Sequence, residues 1–341
     1  MNYQPYLWRA CKQRLLRSKK PILVGPWRSE VGFEVLYWLP FLEQLVADGV
    51  DRERLIPITR GGAACWYGTP TGLELYAMRS PKDVRIENKL QHRQTGLLKQ
   101  IRCTKFDKSV IEDAAATLGL KSYHVIHPSW MYNLFTPFWE SHVGLTWLNA
   151  RTRWTVIPPP PLPGDLTLPE EFVAVRFYQR ATLPGHEMTL QAIRATVGKV
   201  ASQTPVIVLH NDSHVDDHVD MLLSKMPNVT LLRDLAPLNP ETNLAVQSAV
   251  LAHAAAFVGT YGGFAQLALR LGRSVVSYYD QWGGTAIAHK HLADALSIQM
   301  GIPFQVYALR ELALASNVLP MVTVTQKPQH LDTVKQPTSV G

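Results

Sequence analysis

The stretch Phe257–Leu271, FVGTYGGFAQLALRL, decides the fold. An apolar run ends in Gly259, a Thr260-Tyr261-Gly262-Gly263 turn follows, and Phe264 opens a helical spacing. This is the signature of a strand entering a helix through a glycine turn. The first amides of such a helix can bind a phosphate, and glycine lets it approach. An ordinary tight turn that merely needs glycine would read the same way.

Outward from this unit the pattern repeats. Phe172–Phe177 (FVAVRF) reads as a strand and Thr189–Ser202 as a helix with Leu190, Ile193, Val197 and Val200 inward. Pro205–Leu209 (PVIVL) is a continuous apolar run, as in a strand buried on both faces. His214–Met226 has helical spacing, Val229–Leu232 is a strand, and Asn239-Pro240 marks a helix start that runs to about His253. Ala256–Gly259 and Ser274–Tyr279 are further strands. Such alternation builds βαβ units around a parallel sheet.

The first half begins alike. Ile22–Gly25 is a strand, and Pro26–Gly32 is a loop. A helix then carries Val35, Leu36, Leu39, Leu42, Leu45 and Val46. Leu55–Ile58 and Tyr123–Ile126 are strands, whereas residues 60–120 resist a clean reading. The proline run Pro158–Pro163 is stiff and extended, as in a linker. The expected organisation is a first domain over 1–157, a linker over 158–169, a second domain over 170–322 and a frayed tail over 323–341. The fold class is α/β, two Rossmann-like doubly wound domains facing a cleft, with ligands at the carboxyl ends of the strands.

Composition bounds the function. The chain has 341 residues, is 46% hydrophobic and 18% charged, and so can build a large core. Three cysteines without a CxxC pair exclude a cysteine-built zinc site. A net charge of +7 favours anionic partners. No nucleic-acid reader motif is present, so nucleic acid is not the expected partner. No apolar run reaches membrane-span length, and no signal-peptide core precedes the first strand. The expected location is cytoplasmic. The basic amphipathic stretch Leu7–Lys20 could lie on an anionic inner membrane face, or simply lead into the first strand as a solvated helix.

The candidate binding residues of the second half cluster at its strand ends. Arg176 and Arg180 end the first strand, and arginine's planar fork suits an anion such as a phosphate. Pairing with a carboxylate is the alternative for Arg176. His210, Asn211 and Asp212 follow PVIVL, where they could bond a base or ribose, or cap the next helix. Asp280, after the last strand, could reach the donor's sugar. His214 and His218 are four apart, but no accompanying ligand pattern supports a metal, and none is expected. In the first half, Gly25–Glu34 (GPWRSEVGFE) links strand to helix. Glu30 is the candidate general base, with Glu34 second; Glu30 could instead balance Arg28 or the helix dipole, and Glu34 could simply cap its helix. Trp27 could stack on a sugar or fill the core, and Arg28 completes the acceptor-side set. Arg60-Gly61-Gly62 is another strand-end turn, and the aromatic segment 130–147 could line a groove or fill the core.

The run Asn243–Tyr279 resembles the nucleotide-sugar half of GT-B glycosyltransferases of the heptosyltransferase-like and O-fucosyltransferase-like kind. The match rests on Gly259, Gly263, Leu267-Ala268 and Leu271-Gly272, and covers roughly residues 172–280. The heptosyltransferase pattern has Asp-Thr-Gly and then a histidine on the helix. Here Tyr261-Gly262-Gly263 and Gln266 stand instead, so the donor sugar does not follow from the resemblance. The GPWRSEVGFE stretch is loosely similar to bacterial polysaccharide-type glycosyltransferases. The resemblance implies a nucleotide-diphosphate sugar as donor and a glycan or lipid-linked acceptor. It implies no further cofactor and contacts from Thr260 to Phe264, Gln266 and Arg176. The expected reaction is metal-independent and inverting, with Glu30 and Arg176 as its catalytic pair. A sugar-nucleotide epimerase of the same fold and a non-catalytic nucleotide- or glycan-binding protein are the alternatives.

Overall fold

The computed structural model describes residues 4–95, 100–164, 166–179, 183–210, 219–221, 223, 226–282 and 286–309. The first half runs α1 (Gln4–Arg17), β1 (Ile22–Val24), α2 (Val31–Phe33), a π-helical turn (Glu34–Trp38), α3 (Leu39–Ala47) and β2 (Leu55–Thr59). It continues with β3 (Leu73–Glu74), α4 (Leu75–Met78), α5 (Pro81–Thr95), α6 (Lys105–Thr117), β4 (His124–Ile126), α7 (Ser129–Trp139) and α8 (Leu145–Asn149). The second half has β5 (Val173–Arg176), β6 (Tyr178–Gln179), α9 (Glu187–Ala201), β7 (Val206–Val208), β8 (Val219–Asp220), β9 (Val229–Leu231) and α10 (Leu232–Leu235). It ends with α11 (Asn243–His253), β10 (Ala256–Thr260), α12 (Gly263–Arg270), β11 (Ser274–Tyr279), α13 (Ala286–Met300) and β12 (Phe304–Ala308).

Each half holds one parallel sheet. The first has strand order β3-β2-β1-β4, and the second β12-β11-β10-β5-β7-β9. Counted from its own first strand, the second sheet is in the order 3-2-1-4-5-6, that of a doubly wound dinucleotide-type fold. The order reverses between β5 and β10, which pair in register with Gly259 opposite Arg176. Alternation along β5 explains why its run is apolar throughout. Val173 and Val175 enter the outer core with Ile193 and Val197 of α9, whereas Phe172 and Ala174 enter the inner core.

That inner core is shared by the halves. Trp38, Phe41 and Phe135 of the first belong to the same buried cluster as Phe257, Leu267 and Leu269 of the second. The aromatic segment 130–147 is core, with Tyr132, Phe135 and Phe138 buried. The chain reaches the expected linker already bound to the second half. Ile157 is buried and its amide donates to Arg270 O at 2.7 Å, so the chain before the proline run is zipped onto α12.

The π turn explains how the halves lock. Proline has no amide hydrogen, so Pro40 cannot satisfy the carbonyl four residues earlier, that of Leu36. The Leu39 amide reaches Glu34 O instead of Val35 O. Two buried carbonyls are thus left over, and both find donors from afar. The Trp154 indole donates to Leu36 O at 3.0 Å, and Arg270 donates to Val35 O and, at 2.7 Å, to Thr155 O. Burial pushes the Arg270 guanidinium down to about 10. Nearby, Tyr37 Oη lies 2.7 Å from His289 Nδ1 of α13, across the same seam.

Two local expectations fail. The helix read over His214–Met226 does not hold at Val219–Asp220, which form β8 and pair antiparallel with β6; residues 211–218 lie outside the described set. Asn239-Pro240 does not open α11. The Asn239 side chain accepts from the Glu241 and Thr242 amides in a turn, and the helix starts at Asn243.

One glycine is dispensable. Gly198 lies inside α9, and a Cβ there would meet only Met226 Cε at 3.4 Å. Gly198→Ala should therefore stabilise the protein by about 0.5–1 kcal/mol, through helix propensity. Urea denaturation checks this, and an unchanged or lowered midpoint contradicts it.

Candidate active site

The site is assembled at the carboxyl end of β5 and β10. Arg176, 3% exposed, donates from Nη1 to Gln247 Oε1 at 3.2 Å, and its Nε lies 3.3 Å from Asp220 Oδ1. Its guanidinium carbon sits 4.2 Å from the centre of the Phe264 ring. The arginine is thus beside the glycine turn, as its candidate role requires, and also paired with a carboxylate. Gln247 in turn donates to Asn243 Oδ1 at 2.6 Å, so a polar chain runs buried along α11.

The turn itself leads into α12 with Gly262 as N-cap and no side-chain cap. Helix geometry leaves the first amides, from Gly263 onward, without intrahelical partners. Thr260 is 0% exposed, and its hydroxyl is bonded within the protein. The hydroxyl accepts from Tyr178 N at 3.0 Å and donates to Tyr178 O at 3.1 Å, stitching β10 to β6. Tyr261 is 2% exposed and its hydroxyl donates to Ala286 O at 3.3 Å, so that side chain is also structural. Its ring meets Trp282, which lies 3.9 Å from Tyr279, centre to centre. Asp280 is half-buried just past β11, and His210 is buried just past β7. Arg180, Asn211 and Asp212 lie outside the described residues.

The first half meets this turn through glycine backbones. A Cβ on Gly32 would fall 2.3 Å from Gln266 Oε1, and one on Gly263 would fall 3.0 Å from Gly32 N. Gln266, 2% exposed, therefore spans the seam between the halves. The helical run Val31–Ala47 also begins here. Its N-cap is Glu30, again without a side-chain cap, and the Glu34 amide donates to Glu30 O at 3.2 Å. Two helix N-termini with positive partial charge thus converge, one from each half. Glu30 is exposed beside them.

The other acceptor-side residues are corrected by burial. Trp27 is 0% exposed and stacks between Trp38 and Tyr132, leaving no face for a sugar. Arg28 is locked in the first sheet's own switch point. Its Nε donates to Asp107 Oδ1 at 2.8 Å, its Nη1 to Asn88 Oδ1, and its carbonyl accepts from Asn88 Nδ2 at 2.7 Å. Glu34, 0% exposed, accepts from Thr59 Oγ1 at 3.0 Å, Tyr67 Oη at 2.6 Å and Arg60 Nη1 at 2.8 Å. Burial raises its carboxyl despite the Arg60 charge. Arg60 also donates to Ser29 O at 2.5 Å, so Glu34 and Arg60 brace the Pro26–Glu30 loop from behind. The Gly61 and Gly62 amides donate to Glu74, whose carboxyl burial pushes up to about 7. Gly61 O accepts from Ala245 N at 2.9 Å, so the Arg60-Gly61-Gly62 turn caps α11 of the other half.

Among the described residues, Cys103, Asp107 and His127 bring ligand-type atoms within 4.8 Å of one another. Both Asp107 oxygens already accept from Arg28, and Oδ2 also accepts from the Thr104 amide at 2.9 Å. A cation would have to displace that guanidinium. Asp220, Gln247 and Asn243 were not legible as site residues. Asp220 is one of several acids in HNDSHVDDHVD and Asn243 ends the polar run NPETN, so only Gln247, set in an apolar helix, stood out.

No protein-family model matches the chain, and no curated protein matches it. Among solved structures it is similar to E. coli heptosyltransferase WaaC with ADP, at 15% identity and a TM-score of 0.41, over 79% of this chain and 90% of that one. It is also similar to the iron-containing dodecameric glycosyltransferase TibC from enterotoxigenic E. coli H10407. There the identity is 10% and the TM-score 0.40, over 76% of this chain and 58% of that one. The glycosyltransferase SnogD from Streptomyces nogalater matches at 12% identity and a TM-score of 0.25, over 86% of this chain and 97% of that one. At these scores the likeness leaves function to be argued from the site's own chemistry.

Proposed function

We propose that the chain is a glycosyltransferase. It would take a sugar from a nucleoside-diphosphate donor held at the second half's switch point and pass it to a glycan or lipid-linked alcohol presented by the first half. One observation carries the reading: two uncapped helix N-termini converge at Gly32 and Gly263, beside the Arg176 guanidinium. Such an arrangement favours an anion of high charge density.

In the proposed reaction the acceptor oxygen attacks the anomeric carbon as its bond to the diphosphate breaks. Charge then grows on the leaving diphosphate. The amides opening α12 and the Arg176 fork are aimed to stabilise it, in place of a metal ion. Glu30, exposed at the N-cap opposite, takes the acceptor's proton. A single displacement of this kind inverts the anomeric centre. Asp220 and Gln247 hold Arg176 in place until the diphosphate engages it.

Titration calorimetry with nucleoside diphosphates tests the donor side. Arg176→Lys keeps a cation near Asp220 but loses the fork, and should weaken binding about ten- to hundred-fold. Glu30→Gln should fold and bind donor as before yet transfer at least about a hundred-fold more slowly. Unchanged affinity in the first variant and full transfer in the second would overturn the assignment.

A further inference from the structure

Helix α5, PKDVRIENKLQHRQT, carries two different faces. Its inner face is tied to the Pro26–Glu30 loop and the core. Val84 packs with Val110 and Ile111, Asn88 bonds the Arg28 carbonyl, and Glu87 lies 3.8 Å from the Arg28 guanidinium. Its outer face presents Lys82, Ile86, Lys89, Leu90 and Arg93, all exposed. Their spacing puts them on one stripe. Ile86 and Leu90 are each 46% exposed, four residues apart, with the three cations alongside. On the helix itself the acid Asp83 borders the stripe, and it accepts from Ser80 Oγ at 2.7 Å.

We infer that this stripe seats the protein on an anionic lipid bilayer. Apolar side chains flanked by lysine and arginine on a surface helix match an interface of acyl chains beneath negative headgroups. The stripe lies on the half that presents Glu30, and the same helix anchors the loop carrying it. Seating α5 on a bilayer therefore brings the acceptor side of the site to the membrane, where a lipid-linked alcohol would be. That last step rests on the glycosyltransferase reading; the seating itself does not.

The N-terminal basic stretch, expected to serve this purpose, is differently disposed. On α1, Trp8 packs against Phe41 and Trp130, Leu15 is 2% exposed, and Leu16 packs against the same core. These three large apolar residues face the protein, and Arg9 and Arg14 are left as exposed charges.

Co-sedimentation of the full chain with vesicles separates the possibilities. Vesicles of equal parts phosphatidylcholine and phosphatidylglycerol should pull the protein down, and phosphatidylcholine alone should not. The bound fraction should fall about ten-fold in Ile86→Asp/Leu90→Asp and again in Lys89→Glu/Arg93→Glu. Arg9→Glu/Arg14→Glu should retain most of the binding. Circular dichroism confirms that each variant folds. The inference is overturned by absence of binding to the anionic vesicles, by equal binding to both, or by loss in the α1 variant without loss in the α5 variants. Capture by an acidic protein with none by vesicles overturns it too. No donor or acceptor is present in the assay, so its failure is distinct from failure of the transfer assay.

Discussion

Replacing Asp107 with alanine should cost about 3–5 kcal/mol of folding stability, because it strands a buried guanidinium. Arg28 is 2% exposed and has its shortest carboxylate contact, at 2.8 Å, with Asp107. The same carboxylate closes a capping box with Thr104 at the start of α6, worth about 1 kcal/mol more. Urea denaturation of the purified protein reads the loss. A companion experiment checks the cause. If the cost is the unpaired charge, adding Arg28→Met to Asp107→Ala should recover part of it, whereas a merely steric defect would deepen.

The pH dependence has a definite sign. Burial alone would raise the Asp107 carboxyl, but the bonded Arg28 guanidinium and the His127 ring 3.3 Å away outweigh it and hold the group below the usual carboxylate range. An acid depressed in the folded state gives stability that is complete above its unfolded pKa, here 3.8, and lost as pH falls below it. The difference between the native protein and Asp107→Asn should accordingly be constant near neutrality and shrink below about pH 4. A gap that widens on acidification would contradict the assignment.

How much of this was legible in the sequence follows from where the deciding contacts lie. The strands β5, β7, β10 and β11 were readable because each is buried on both faces, and a continuous apolar run between turn residues has few other meanings. The place of Arg176 at a carboxyl strand end followed from those strands, whereas the β5–β10 pairing that makes the switch point comes from the sheet order. The Val219–Asp220 strand was not readable, since Val215, Val219, Leu222 and Leu223 imitate a helical period and the two-residue partner Tyr178–Gln179 has no period at all. The carboxylate facing Arg176 went unseen for the same reason. Trp27 and Arg28 belong to residue types that serve a sugar site and a core equally well. Only partners 60 or 79 residues away for Arg28, and a ring at Tyr132 for Trp27, decide the matter. Pro40 lies inside a stretch read as one plain helix, because the apolar period runs straight across it. That the freed carbonyls would bind Arg270 and Trp154 of distant segments is a fact of packing, not of pattern.

Gly259→Ala should be the most disruptive single-methyl change in the second half. An added Cβ would fall 2.1 Å from the Arg176 carbonyl oxygen and 2.7 Å from Phe257 Cζ. The first obstacle is the backbone of a neighbouring central strand, paired residue for residue with β10, so it cannot yield as a flexible side chain would. Overpacking commonly costs about 1–3 kcal/mol where neighbours can shift. Here the cost should reach or exceed the upper end, about 3 kcal/mol. The strain also falls on the residue that carries the guanidinium. Whatever fraction still folds should bind a nucleoside diphosphate more weakly than Gly198→Ala, which changes the same atoms on a distant helix. Denaturation midpoints and calorimetry on the pair make the comparison. A Gly259→Ala protein as stable as the parent, with unaltered diphosphate affinity, would mean that β5 and β10 do not approach as described, and that Arg176 is not held beside the glycine turn.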